Sequence, residues 1–196
     1  MHAARDSWAQ LDEFMCATWI SGATVAEVVQ AFDARSEDLT HPRAVTVQDE
    51  AEDGFASDPV GVRLLIREVA GWVTVLEVRS SRGADDAVLA ALSQGGQALN
   101  IVAGERGTYL TYAVQGRITH DFDADDIGED DLADDPEVRE IRDWANGLGV
   151  DVHEWSEHPR GAAFYLAEAI TGTELDDSWA VGEWIGVRLP GGSPAS

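Results

Sequence analysis

The spacing of apolar residues divides the chain into helical and extended segments. Near the N-terminus, a capping-box sequence begins at Ser7 and is followed by Met15 and Trp19, which lie four residues apart, as on one face of a helix. This pattern predicts a first helix. A second capping box begins at Thr24 and predicts a short helix directly after the first. The N-terminal part of the chain is therefore predicted to form a helical hairpin.

Five later segments are rich in β-branched and aromatic residues, which favour strands. The dipeptides Ala70-Gly71 and Gln115-Gly116 separate two pairs of these segments and have the length of a hairpin turn. The polar region at 36–58 is expected to be mostly loop, and within it only residues 44–47 are apolar enough for a short strand. The five predicted strands are 62–69, 72–79, 98–103, 108–114 and 117–122.

Three further helices are predicted, at 84–93, 136–146 and 159–171, and the helices lie mainly outside the run of strands. We therefore predict an α+β fold: an about five-stranded, mostly antiparallel sheet with an N-terminal helical hairpin and C-terminal helices. Residues 1–189 are expected to form a single domain, and residues 190–196 a flexible tail.

The charge of the chain limits the partners to be expected. Its 196 residues contain 13 basic residues, all arginine, and 37 acidic ones, so the formal net charge is −24. Such a field repels phosphate, and we expect no nucleic-acid partner. Cys16 is the only cysteine, which excludes an intramolecular disulfide and favours a cytoplasmic location. No uncharged stretch is long enough to predict a membrane span, because polar residues interrupt the longest one, at 87–104.

An acidic segment, residues 121–135, is the first candidate for chemistry. Asp121, Asp123 and Asp125 alternate as the first ligands of a calcium loop do. The pattern then departs from such a loop, because Asp126 stands where glycine is needed and Leu132 where a bidentate glutamate is needed. A divalent-cation site, in a cation-binding protein or a small metal-dependent enzyme, is the alternative hypothesis, and no other cofactor is expected.

The favoured hypothesis is a non-enzymatic interaction or regulatory protein, similar to an immunity protein, whose acidic segment binds a basic protein partner. Opposite charges on two partners accelerate their encounter and select the correct one. Two tryptophans beside acidic residues, in segments predicted to be weakly structured, are candidate exposed anchors for the same interface. The predicted contact residues are Asp125, Asp126, Glu129, Asp130, Asp131, Trp155 and Trp184.

Two further side chains are predicted to be structural. His120 alternates with Ile118 and Phe122 on one predicted strand, so we expect it to be at least half-buried. Cys16 lies beside the inward stripe of the first predicted helix, where a small buried thiol is expected.

Several short phrases, taken in order, resemble a family of short, acidic actinobacterial proteins of unknown function. They are FMCATWISG at 14–22 followed by residues 24–28, the Gly71-Trp72 strand start, the run from Leu92-Ser93 to Ala98, Phe122-Asp123, and LAEAITG at 166–172 with Leu175 and Trp179 beyond it. The resemblance covers most of the chain. It implies neither catalytic residues nor an activity.

Overall fold

One antiparallel sheet with helices on both faces organises the computed structural model, which describes residues 14–33, 43–45, 63–78, 80–129, 132–173 and 182–188. The strands are β1 (Phe14–Ser21), β2 (Arg43–Val45), β3 (Arg63–Val69), β4 (Trp72–Val78), β5 (Gln97–Gly104), β6 (Gly107–Val114), β7 (Arg117–Asp123) and β8 (Trp184–Arg188). Their order in the sheet is β2-β8-β3-β4-β1-β5-β6-β7, and every neighbouring pair is antiparallel. The predicted α+β class and antiparallel sheet are confirmed.

The helices divide between the two faces of the sheet. The helices are α1 (Val25–Ala31), a 3₁₀ helix (Arg82–Ala84), α2 (Asp86–Leu92), α3 (Ala124–Ile127), α4 (Pro136–Gly147), α5 (Val152–Glu157) and α6 (Pro159–Thr171). One apolar cluster joins one face of the sheet to helices α1 and α2, and a second cluster joins the other face to α3, α4, α5 and α6. We call these the α1–α2 face and the α3–α6 face.

The predicted N-terminal helical hairpin is wrong, because its first half is strand β1. This strand lies between β4 and β5, and residues 15–20 are all buried. Met15 and Trp19 share a side of the strand, since residues four apart share a face in a strand as well as in a helix. Burial on both faces removed the polar alternation that identifies a strand. The predicted helix start at Ser7 lies outside the described residues.

The sheet is wider than the five strands predicted, because β1 and β8 were missed and the short apolar run at 44–47 contributes to a further strand, β2. Strand β8 pairs with β3, with Leu64 opposite Val187, and with the three-residue β2. Its sequence includes Gly186, which weakens a strand signal, and it is only five residues long. Its assignment depends on a partner more than a hundred residues away in the chain.

The predicted hairpin turns at Ala70-Gly71 and Gln115-Gly116 are confirmed. All four residues have positive φ, from 50° at Gln115 to 82° at Gly71. Two consecutive positive φ values define a type I′ turn, whose twist matches that of the strands it joins. The turns keep β3 with β4 and β6 with β7 in register.

A β-bulge in β7 changes the predicted surroundings of His120. Tyr112 is opposite His120, but the next residue, Ala113, is opposite Ile118, so one residue of β7 is extra. His120 therefore shares a face with Phe122, as predicted, whereas Ile118 packs on the α1–α2 face. The predicted half-burial of His120 is confirmed, and its ring stacks on Trp144 of α4 at 4.2 Å between centroids.

The helices that carry capping signals form close to their predicted bounds. The Thr24 capping box is present, with its hydroxyl accepting from Glu27 N–H and the Glu27 carboxylate accepting from Thr24 N–H. Pro136 is the first residue of α4, and Gly172 ends α6 with a left-handed φ of 65°. The predicted tail, 190–196, lies outside the described residues.

Candidate functional site

The three aspartates predicted to bind a metal are held by different local partners. Asp121 accepts a hydrogen bond from the Thr111 hydroxyl at 2.8 Å. Asp123 caps α3, with its Oδ1 accepting from the Asp125 N–H at 3.0 Å. Only the last two carboxylates face the same turn, since a Cβ on Gly107 would lie 2.9 Å from Oδ2 of Asp125 and 3.3 Å from Oδ2 of Asp123.

Asp125 lines an open cleft of about 380 Å³ between the β5–β6 turn and the start of α6. Burial raises the pKa of its carboxyl, and the negative charge of Asp123 raises that pKa further, while the Thr108 N–H lowers it. Arg160, at the start of α6, also lines the cleft. Burial lowers the pKa of its guanidinium, and the nearby charge of Asp125 acts in the opposite direction. The remaining lining residues are Gly104, Glu105, Arg106, Gly107 and Thr108.

Exposed carboxylates continue from this cleft along the surface of the helices. Of the predicted contact residues, Asp125, Asp126 and Glu129 are exposed, whereas Asp130 and Asp131 lie outside the described residues. Further exposed acidic residues follow on and around α4. They are Asp134, Asp135, Glu137, Glu140 and Asp143. We call Asp125, Asp126, Glu129 and these five residues the acidic surface.

The arginines of α4 bond mainly to backbone oxygens of the acidic surface region. Arg142 donates to the carbonyls of Ile127 and Glu129, at 2.8 and 2.9 Å. Arg139 donates to the Asp134 carbonyl at 3.1 Å, and its ion pair with that carboxylate is long, at 3.9 Å. Within the part of the chain described here, Asp126 and Glu129 form no ion pair. The carboxylates of Asp126 and Glu129 therefore have no paired cation among the described residues.

Trp155 and Trp184 are not exposed, so this part of the predicted interface is corrected. Each is 1% exposed and belongs to the core of the α3–α6 face. Trp155 lies in helix α5 and packs edge-on against Phe122, while Trp184 begins β8. Both segments are regular structure, in contrast to the weak structure predicted for them. Neither indole offers a surface to a partner.

A buried polar cluster on the α1–α2 face was not predicted. Glu77 is 4% exposed, and its carboxylate accepts from the backbone N–H of Arg82 at 2.8 Å and of Gly83 at 2.7 Å. The Cys16 thiol donates to the same carboxylate at 3.2 Å. Asn100, opposite Thr18 across β1 and β5, donates to its hydroxyl at 2.8 Å.

The predicted burial of Cys16 is confirmed, and it makes the thiol a weak nucleophile. Burial raises the pKa of the thiol well above its ordinary value, and the charge of Glu77 adds to that effect. The burial of Glu77 could have been predicted from the sequence. Glu77 follows Val73 and Val75 at the same alternating positions of the strand, where an apolar residue is expected. A glutamate in that position indicates a buried, hydrogen-bonded carboxylate.

Across the described ranges, no three histidine, cysteine or acidic side chains converge as metal ligands do. The helices in those ranges are also too short or too polar to cross a membrane.

The fold and the surface define a small α+β protein with an acidic helical face. The family model for DUF6461, a family of unknown function, matches residues 4–179, and the chain belongs to this family. No curated protein and no solved structure matches the chain.

Proposed function

We propose that this protein binds a basic protein partner through its acidic surface, in the manner of a regulatory or immunity-like protein. The observation that carries the proposal is the use of Arg139 and Arg142 as donors to backbone carbonyls. Because these cations bond to backbone oxygens, the carboxylates of Asp126 and Glu129 have no internal ion-pair partner among the residues that the structure describes and are available to an external cation. Such a field accelerates encounter with a basic surface.

The cleft supplies a defined contact within this surface. Asp123 lies close enough to Asp125 for its negative charge to raise the pKa of the Asp125 carboxyl. A guanidinium or ammonium group of the partner, placed beside Asp125, relieves this repulsion and forms charge-assisted hydrogen bonds. The buried indoles of Trp155 and Trp184 have no part in the proposed interface.

The experiment compares two triple variants that lose the same charge. D125N/D126N/E129Q neutralises the proposed contact, and E68Q/D86N/E183Q neutralises three exposed carboxylates elsewhere on the molecule. Each protein is immobilised, exposed to native lysate and eluted with a salt gradient. The wild-type and control proteins are expected to retain the same basic protein, released as salt rises. The D125N/D126N/E129Q variant is expected to lose it.

Two results contradict the proposal. Equal retention by the two triple variants shows that the acidity of the whole chain, and not this surface, attracts the protein. Failure of the wild-type chain to retain any basic protein at low salt removes the support for a basic partner.

A further inference from the structure

A polar pair, Arg67 and Thr74, lies among the apolar side chains of the α3–α6 face. The two residues are directly opposite each other in the pairing of β3 with β4, so their side chains emerge on the same face. Trp19 is opposite Thr74 in the pairing of β4 with β1. On the other side, Cζ of Arg67 is 6.0 Å from the ring centroid of Trp184. Two buried indoles therefore flank the polar pair.

Each member of the pair has a buried donor that lacks an acceptor. Thr74 is fully buried, and its Oγ1 has no hydrogen-bond partner within the described ranges. The same is true of Nη1 of Arg67, although the arginine side chain as a whole is partly exposed. Buried hydroxyl and guanidinium donors without an acceptor are unfavourable, and few persist in native proteins.

We propose that Arg67 and Thr74 bind an oxyanion, the carboxylate of a small organic acid or a phosphate group. The planar guanidinium donates to an oxyanion with matching geometry, and the threonine hydroxyl donates from the neighbouring strand. Trp184 covers the cation and limits its hydration, which strengthens the interaction. The partial exposure of Arg67 gives the ligand a route from solvent.

This binding site is independent of the proposed protein interface. Arg67 and Thr74 are on β3 and β4, whereas Asp125 of the cleft is in α3, directly after β7, and β7 is four strands from β4 in the sheet order. Failure of either proposal leaves the other intact.

The test measures the melting temperature of the full chain in sodium acetate and in sodium phosphate, each against sodium chloride at equal ionic strength. Equal ionic strength is needed because salt screens the self-repulsion of a chain with a net charge of −24 and so raises its stability without binding to it. A ligand that binds only the folded state raises the melting temperature in a concentration-dependent manner. We expect one of the two anions to do so beyond the effect of chloride.

Four variants assign the effect to the polar pair. Arg67→Met is expected to weaken binding roughly tenfold or more, because it removes a charged donor. Arg117→Met, at an exposed arginine of β7, is the matched control and is expected to bind as the wild type does. Thr74→Val is expected to weaken binding severalfold, and Thr74→Ser to retain it.

The proposal is overturned if the melting temperature of the wild type does not depend on the anion, because an ordered water bound in place of the anion would give no such dependence. Equal shifts in Arg67→Met and wild type overturn it as well. If Arg67→Met does not fold, the anion-dependent shifts of Thr74→Val and Thr74→Ser are compared instead. Valine keeps the shape of threonine and lacks the hydroxyl, whereas serine keeps the hydroxyl, so a binding role of the hydroxyl predicts a smaller shift in Thr74→Val, and equal shifts overturn the proposal.

Discussion

The Cys16 thiol donates to Oε1 of Glu77 at 3.2 Å, although the two residues are 61 positions apart in the chain. They are directly paired between β1 and β4, at the centre of the strand order. Two successive backbone N–H groups of the 3₁₀ helix, from Arg82 and Gly83, donate to the same carboxylate. Glu77 thus connects the 3₁₀ helix to the middle of the sheet through hydrogen bonds. Substitutions in this cluster therefore measure how much these buried hydrogen bonds stabilise the fold.

Replacing Glu77 with glutamine is expected to lower the free energy of unfolding by about 2–3 kcal/mol. The amide presents N–H groups where the carboxylate accepts, so at least one buried donor loses its partner. Urea denaturation measures the change. The control is Glu68→Gln, at an exposed position of the neighbouring strand, where the change should stay within about 0.5 kcal/mol. Equal effects at the two positions would contradict this account of Glu77.

Gly83→Ala is expected to destabilise the protein by about 1–3 kcal/mol, because it overpacks the same cluster. A Cβ at this position would lie 2.7 Å from Oε1 of Glu77 and close to the Thr18 hydroxyl. Gly147→Ala, at the exposed end of α4 with no atom near the added methyl, should be neutral or stabilising by up to about 1 kcal/mol. A tolerated Gly83→Ala would show that the loop shifts freely.

The Cys16 thiol is expected to make the folded state less stable in alkali. Its pKa is raised in the folded protein, so the unfolded chain releases this proton first as pH rises above the ordinary thiol pKa of about 9. Stability present below that pH is lost above it. The non-titrating variant Cys16→Ser should show a shallower decline in urea denaturation over the same range. Identical slopes would mean that the thiol pKa is not raised.

His120 is expected to weaken the fold in mild acid. Burial lowers its pKa from the ordinary value of 6.5, while the charge of Glu140 has a smaller, opposite effect. The unfolded state therefore binds the proton more tightly, and stability falls as pH decreases from about 6.5 towards the lowered pKa. The variant His120→Gln should lose this component.

His158→Gln, at another exposed histidine, serves as the matched control for His120, since both changes remove one imidazole and His158 forms no ion pair within the described residues. Urea denaturation at a series of pH values should give the wild-type slope for His158→Gln and a smaller slope for His120→Gln. If the two variants behave alike between pH 5 and about 6.5, the burial of His120 does not disfavour its charged imidazole.

The alternation of aspartates in the sequence did not show whether their carboxylates meet in space. Asp121, Asp123 and Asp125 alternate in sequence, yet helix α3 begins after Asp123 and changes the direction of the backbone. Asp121 is consequently held by Thr111 on the sheet, while the other two carboxylates face Gly107. An alternation places side chains on one face only while the strand continues.

The sequence by itself determined the elements that local interactions specify. The capping box at Thr24, the left-handed residue at Gly172 and the two-residue turn at Gln115-Gly116 form between residues close in the chain, and each was predicted near its observed position. These signals act through backbone donors, acceptors and φ preferences, which a short segment carries within itself.

Only the tertiary structure decided the conformation of residues 14–21 and the surroundings of Glu77. In β1 the apolar spacing fits helix and strand alike, and pairing with β4 and β5 selects the strand. The same pairing brings Glu77 to Cys16 and buries both. Hydrogen bonds and burial between distant strands depend on which strands become neighbours, and that choice is made by the packing of the whole sheet.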